Sequence, residues 1–260
     1  MTKKPKCSYS DKDGLVLNAP TSWAELSDEQ FRGVLSLMGS IKNPIELKTR
    51  LFFYLCDITV EKFLGDGVRC SMIENYRLKY FNILTVQIQS LIHRFDFVDN
   101  FDTGGRRFSA IKGCWAVDSE LHGVWFKHYL RAEICFQGFL ISHDIKALYG
   151  IFASLYRKHK NEELPEGYVL TQADYMNCFC WMVHIKNMFT QYFPHFFKPV
   201  PQSGQPVDMR KVMDAQIRAL TKGDIVKEEM ILQTDVWRAL TELDALAQEA
   251  EEFERKYGKN

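Results

Sequence analysis

Cys178, Cys180 and His184 lie close along the chain, with His195 further on, and their side chains could do metal chemistry. Thiolate sulfur and imidazole nitrogen are donors that zinc favours, and zinc asks for about four of them in a tetrahedron. Cys180 and His184 are four apart, so a helix places them on one face. The paired C-x-x-C knuckles of zinc modules are missing, and cysteine also serves as a small buried apolar residue. Core packing is therefore the expected use of Cys178, Cys180 and His184, with no metal or cofactor.

His122, His128, Glu133, His143 and Asp144 form a looser second group. Their spacing matches neither H-E-x-x-H nor the E-x-x-H pairs of di-iron bundles. Surface or capping roles are expected, with Asp144 favouring the dipole of a helix start. Gly104-Gly105-Arg106-Arg107 has anion-binding ingredients, but a phosphate loop would end in Lys-Ser/Thr before a helix. A flexible loop is expected there, with Arg106 and Arg107 free to meet a partner. No G-x-S-x-G elbow occurs. Cys114 has no local neighbour to lower its pKa and is expected to be buried.

The elements that would position these groups read mostly as helices. Ser27 and Gln30 make a capping box, stapled by Leu26 and Phe31, ahead of the stripe Phe31, Val34, Leu35 and Met38. Asn43, Pro44 and Glu46 open a second helix carrying Leu47, Leu51 and Leu55. Gly65 and Gly67 around Asp66 suggest a turn between short extended pieces. A helix over about 74–95 is expected from Tyr80, Leu84, Ile88, Leu91 and Phe95. After a loop near 98–118 come helices over about 119–137 and 143–159. Thr171 and Asp174 then cap a helix with Phe179, Met182, Ile185 and Phe189 at helical spacing.

The stretch 198–207, KPVPQSGQPV, reads as a proline-rich linker. It divides a core domain over 13–197, preceded by a flexible tail over 1–12, from a helical hairpin over 208–260. The second helix of the hairpin is expected to reach about Tyr257. Leu232, Val236, Ala239, Leu243, Leu246, Ala250, Phe253 and Tyr257 follow a heptad seam along it. Trp237 lies beside that seam. Leu232, Val236, Trp237, Leu243, Leu246 and Phe253, with Arg106 and Arg107, are the candidate contact residues for a protein partner or for self-association.

The fold expected is mainly α, a multi-helix domain with a few short strands plus the C-terminal hairpin. The formal net charge of zero argues against a dedicated nucleic-acid surface. No apolar run approaches the length of a membrane span, and the first residues lack an apolar export core. Seven cysteines at irregular spacing suit a reducing compartment. A bacterial cytoplasm is the location expected.

Three stretches together resemble a family. PTSWAELSDEQFRGVLSLM has a "SWxELxxxQ" pattern. ELHGVWFKHYLRAEICFQGFL followed by LYGIFASLYRK forms a central helix pair ending in "LYR". IRALTKGDIVKEEMILQTDVWRALTELDALAQEAEEF forms a C-terminal hairpin. The resemblance is to uncharacterised prophage proteins of Bacteroides-like bacteria, encoded near tail genes. It implies a non-enzymatic structural or tail-assembly role, as chaperone or adaptor, in the host cytoplasm or in the virion. The readings from other classes are a metal-dependent enzyme using Cys178, Cys180 and His184, and a nucleic-acid regulator using Arg106, Arg107 and the N-terminal lysines.

Overall fold

A computed structural model describes residues 7–10, 14–158, 167–198 and 208–257. By backbone contacts the chain falls into two compact units. The first takes residues 1–101 with 171–176, and the second takes 102–170 with 177–260. The fold is mainly α with small antiparallel sheets, as expected.

In the first unit, strands β1 (Ser8–Ser10) and β2 (Gly14–Val16) pair antiparallel. This corrects the expected tail at residues 8–10. Tyr9 stacks on Phe81 at 4.5 Å, so the strand has an aromatic anchor. Helix α1 (Asp28–Ser40) starts at the expected capping box, with Gln30 N donating to Ser27 Oγ and Ser27 N donating to Gln30 Oε1. Helix α2 (Pro44–Leu55) starts where Asn43 Oδ1 accepts from the amides of Ile45 and Glu46. Both helices bury their apolar stripes, including Phe31, Leu35, Leu51 and Phe52.

Strands β3 (Thr59–Phe63), β4 (Gly67–Glu74) and β5 (Arg77–Leu84) form an antiparallel meander, followed by the short helix α3 (Thr85–Leu91). The turn at Gly65–Gly67 is as expected, but the helix over 74–95 is not. Asn75 and Tyr76 both adopt left-handed backbone, φ 50° and 62°, which reverses the chain in two residues. Beyond them Phe81 and Ile83 are buried while Tyr80, Asn82 and Leu84 are exposed, which is a strand's alternation.

In the second unit, β6 (Ala110–Ile111) and β7 (Cys114–Ala116) make a small hairpin, and Cys114 is buried as expected. Helices α4 (Phe126–Ser142) and α5 (Tyr149–Leu155) follow, and β8 (Tyr156–Arg157) adds to β7. Helix α4 continues past Gly138 and ends where His143 turns left-handed, φ 55°. Helix α6 (Gln172–Tyr192) has the expected reciprocal cap between Thr171 and Asp174. Its first residues, through Met176, belong with the first unit.

Residues 199–207 of the expected linker lie outside the described residues. Helix α7 (Met209–Thr221) is capped by Asp208 and ends at left-handed Lys222. The long final helix is corrected to two pieces, α8 (Glu228–Leu232) and α9 (Val236–Tyr257). The break has a cause. Thr234 O accepts from Phe126 N, and Val236 N donates to Val124 O, so the chain runs extended beside Trp125. Asp235 then caps α9 through Trp237 N. These bonds tie the C-terminal elements to the segment 124–126, so 208–257 shares its unit with part of the expected core domain.

Candidate functional site

The sulfur and imidazole groups do not converge. Cys178 and Cys180 are wholly buried, and burial pushes the Cys180 thiol far up, against the thiolate that a metal needs. His184 is engaged elsewhere, its Nδ1 donating to Asp102 Oδ1 at 2.8 Å. Asn187 Nδ2 donates to Asp102 Oδ2 at 2.9 Å, and Gly104 N donates to Oδ1 at 2.9 Å. Burial alone would raise the Asp102 carboxyl, but these bonds hold it below its ordinary value. Asp102 thus clamps the start of the Gly104–Arg107 loop onto α6. Gly105 (φ 76°) lies so close that a Cβ there would stand 2.9 Å from His184 Nε2. Among the described residues no three His, Cys, Asp or Glu side chains come together as a metal site.

Of the two loop arginines, Arg107 departs from the expected outward role. Arg107 turns inward, its guanidinium 4.8 Å over the Trp181 ring and its Nη2 donating to Val117 O at 2.6 Å. Its charge supports the fold and is not offered outward. Arg106 is half-buried, in a loop closed by Thr103 Oγ1 donating to Arg106 O at 2.8 Å. Beside it lies a buried ring of bonds missed in the sequence. Phe108 N donates to Asn177 Oδ1, Asn177 Nδ2 to the Tyr156 hydroxyl, and that hydroxyl to Phe108 O.

The second histidine group splits. His143 and Asp144 are terminal, with Asp144 accepting from Lys146 N. His128 and Glu133 are buried, contrary to the expected surface role. His122 stacks on Trp237 at 4.7 Å. Trp237 itself packs inside the unit against Phe189, Tyr192 and Phe193, and its Nε1 donates to Glu120 O at 2.7 Å.

The C-terminal seam divides along its length. Leu232 ends α8 and is half-buried. Val236, Ala239, Leu240 and Leu243 are buried, and Leu246 is half-buried. Past Ala250 the seam is bare: Phe253 and Tyr257 are 64% and 67% exposed, their rings 4.8 Å apart. Glu249, Glu252 and Glu254 surround them, outweighing Arg255 and Lys256.

A second bare surface, absent from the sequence reading, stands on the β4–β5 hairpin of the first unit. Tyr76 at its tip is 96% exposed, and the cross-strand pair Ile73 and Leu78 is exposed beside it, with Tyr80 next along β5. Arg69 lies 5.3 Å over the Tyr80 ring, and Arg77 is exposed at the tip. A contiguous apolar patch of this kind marks an interaction surface more often than a scattered leucine does. The alternation Leu78, Tyr80, Asn82 against Phe81, Ile83 was the available signal.

Among the described residues no helix is long and apolar enough to cross a membrane. Comparison with protein-family models, with curated proteins and with solved structures found no match.

Proposed function

We propose that this chain is a non-enzymatic assembly protein of a phage-like tail region, and that it works through protein–protein contacts, first of all with a second copy of itself. The observation that carries this reading is the division of α9. Its first half is anchored in its own unit, while Phe253 and Tyr257 continue the same seam with nothing packed over most of their surface. Two bare aromatics one turn apart on an otherwise charged helix end suit a contact with another chain.

Charge chooses the partner surface. The end of α9 is acidic around its aromatics, and the β4–β5 hairpin is apolar with Arg69 and Arg77 at its rim. Complementary patches of this kind fix orientation and speed encounter. The phage-like setting rests on the sequence resemblance alone.

Magnitude sets how the contact should be sought. Burying the bare parts of Phe253 and Tyr257 together with a matching area of the hairpin is worth about 10 kcal/mol at 25 cal/mol per Å². Association costs at least about 4 kcal/mol in lost freedom. The contact is therefore weak, and sedimentation of the full chain should span roughly 1 μM to 1 mM. Reversible self-association is expected, weakening as salt rises. The double change Phe253→Glu and Tyr257→Glu should abolish it while leaving the circular dichroism unchanged. A chain that stays monomeric over the whole range, or a double variant that associates as before, would sink the proposal.

A further inference from the structure

Two cysteines of the first unit touch each other. Cys7 stands just before β1, and Cys56 caps the C-terminal end of α2. The Cys56 thiol donates a hydrogen bond to the Cys7 sulfur, and both side chains are buried, at 1% and 4% exposure. A disulfide holds its sulfurs about 2.05 Å apart. Thiols in hydrogen-bond contact are within a side-chain rotation of that distance. Neither residue lies inside a helix or strand that would resist the movement.

The surroundings make the pair unequal. The bond from Cys56 holds the Cys7 thiol below its ordinary range; burial opposes it, and a backbone bond at Asn18 and the charge of Arg94 add to it. Arg94 is fixed there by its Nε, which donates to Ala19 O at 3.3 Å. The contact with Cys7 and then burial push the Cys56 thiol far up. Cys7 is thus the nucleophile and Cys56 keeps its proton. Elsewhere burial raises Cys70, Cys135 and Cys180, which leaves them as unreactive thiols.

Strand β1 gives an oxidant its way in. It is three residues long and pairs with the equally short β2. Besides the Tyr9–Phe81 stack, Lys79 Nζ donates to Tyr9 O at 2.9 Å. A two-stranded ribbon of this size opens easily, which admits a small molecule to Cys7, and closing returns Cys7 to Cys56. We propose that Cys7 and Cys56 form a peroxide-sensitive switch, closing to a disulfide that pins β1 to the end of α2. The Cys7 thiolate attacks one oxygen of hydrogen peroxide, the O–O bond breaks, and the departing hydroxide takes up the proton that Cys7 had lost. Cys7 is then a sulfenic acid. The Cys56 sulfur attacks the Cys7 sulfur, the S–O bond breaks, and the leaving hydroxide takes the Cys56 proton. Two thiols and one hydrogen peroxide thus give one disulfide and two waters.

The reduced full chain should be titrated with hydrogen peroxide, alkylated in denaturant and mapped by mass. The expected product is a Cys7–Cys56 linked peptide, two hydrogens lighter, with the other cysteines alkylated and with free thiols restored by dithiothreitol. Hydrogen exchange in the β1 peptide of the linked chain should slow about tenfold. In Cys56→Ser, Cys7 should stop at the sulfenic acid and be trapped by dimedone, while in Cys7→Ser dimedone should leave Cys56 unlabelled. No Cys7–Cys56 linkage, linkage scattered over the other cysteines, unchanged exchange in β1, or equal dimedone labelling in the two variants would each overturn the assignment. If either variant does not fold, the linkage map and the exchange of the unaltered chain still decide it.

Discussion

His128 shows how a single buried group sets a pH limit. It is 2% exposed, stacks on Trp125 at 5.9 Å, and its Nε2 has no hydrogen-bond partner. Burial, then the positive charges of Arg157, Lys127 and Arg131, push its pKa down to about 4. An unfolded chain takes up this proton near pH 6.5, and the native chain only near pH 4. Stability is therefore full above about pH 6.5 and falls as the pH drops toward 4, by at most roughly 3 kcal/mol. His128→Phe should flatten that part of the curve, read as urea midpoints at pH 7.5 and 4.5. Asp102 acts in the same sense at lower pH. Its carboxylate is held down by its bonds, so the stability it adds is lost as pH falls through its native pKa. Asp102→Asn should lower stability by about 1–2 kcal/mol and speed amide exchange at Gly104. Neither role was legible in the sequence. His184 and Asp102 are 82 residues apart, as are partners brought together only by folding. Arg107 likewise looked free because nothing local announces the Trp181 ring beneath it.

At the scale of elements, what was legible was local. The caps at Ser27, Asn43 and Thr171 are bonds between residues two or three apart, and each stands where its spacing put it. The β4–β5 hairpin was misread because Tyr80, Leu84 and Ile88 satisfy helical spacing while Phe81 and Ile83 satisfy a strand's. The turn decides between them, and it carries Tyr76 where a glycine is the usual choice. A tyrosine at φ 62° costs about 1 kcal/mol. Tyr76→Gly should therefore raise the thermal midpoint while weakening self-association, a pair of effects that a purely structural tyrosine would not give. The two ends of α9 should also separate. Leu243→Asp puts a charge into a packed site and should destabilise by 3 kcal/mol or more, roughly, seen in chemical unfolding. Phe253→Glu should change stability by less than about 0.5 kcal/mol. The heptad pattern was visible in the sequence, but its break at residues 233–235 was not, since that break answers to Val124 and Phe126 across the unit.

At the scale of the whole molecule, the end of α9 and the tip of the β4–β5 hairpin are bare surfaces on different units, and the two are unlike. Where the two contacts do not close on a pair, with each chain's helix end on the other's hairpin, each added copy leaves one of each kind open. Mixtures should then behave in a way that single variants do not reveal. A chain altered only at Tyr76 still offers its helix end, so it can join a growing array and leave it nothing to extend. It should act as a terminator, shortening arrays of the unaltered chain at well below equal proportion. The hairpin tip would then govern length as much as affinity.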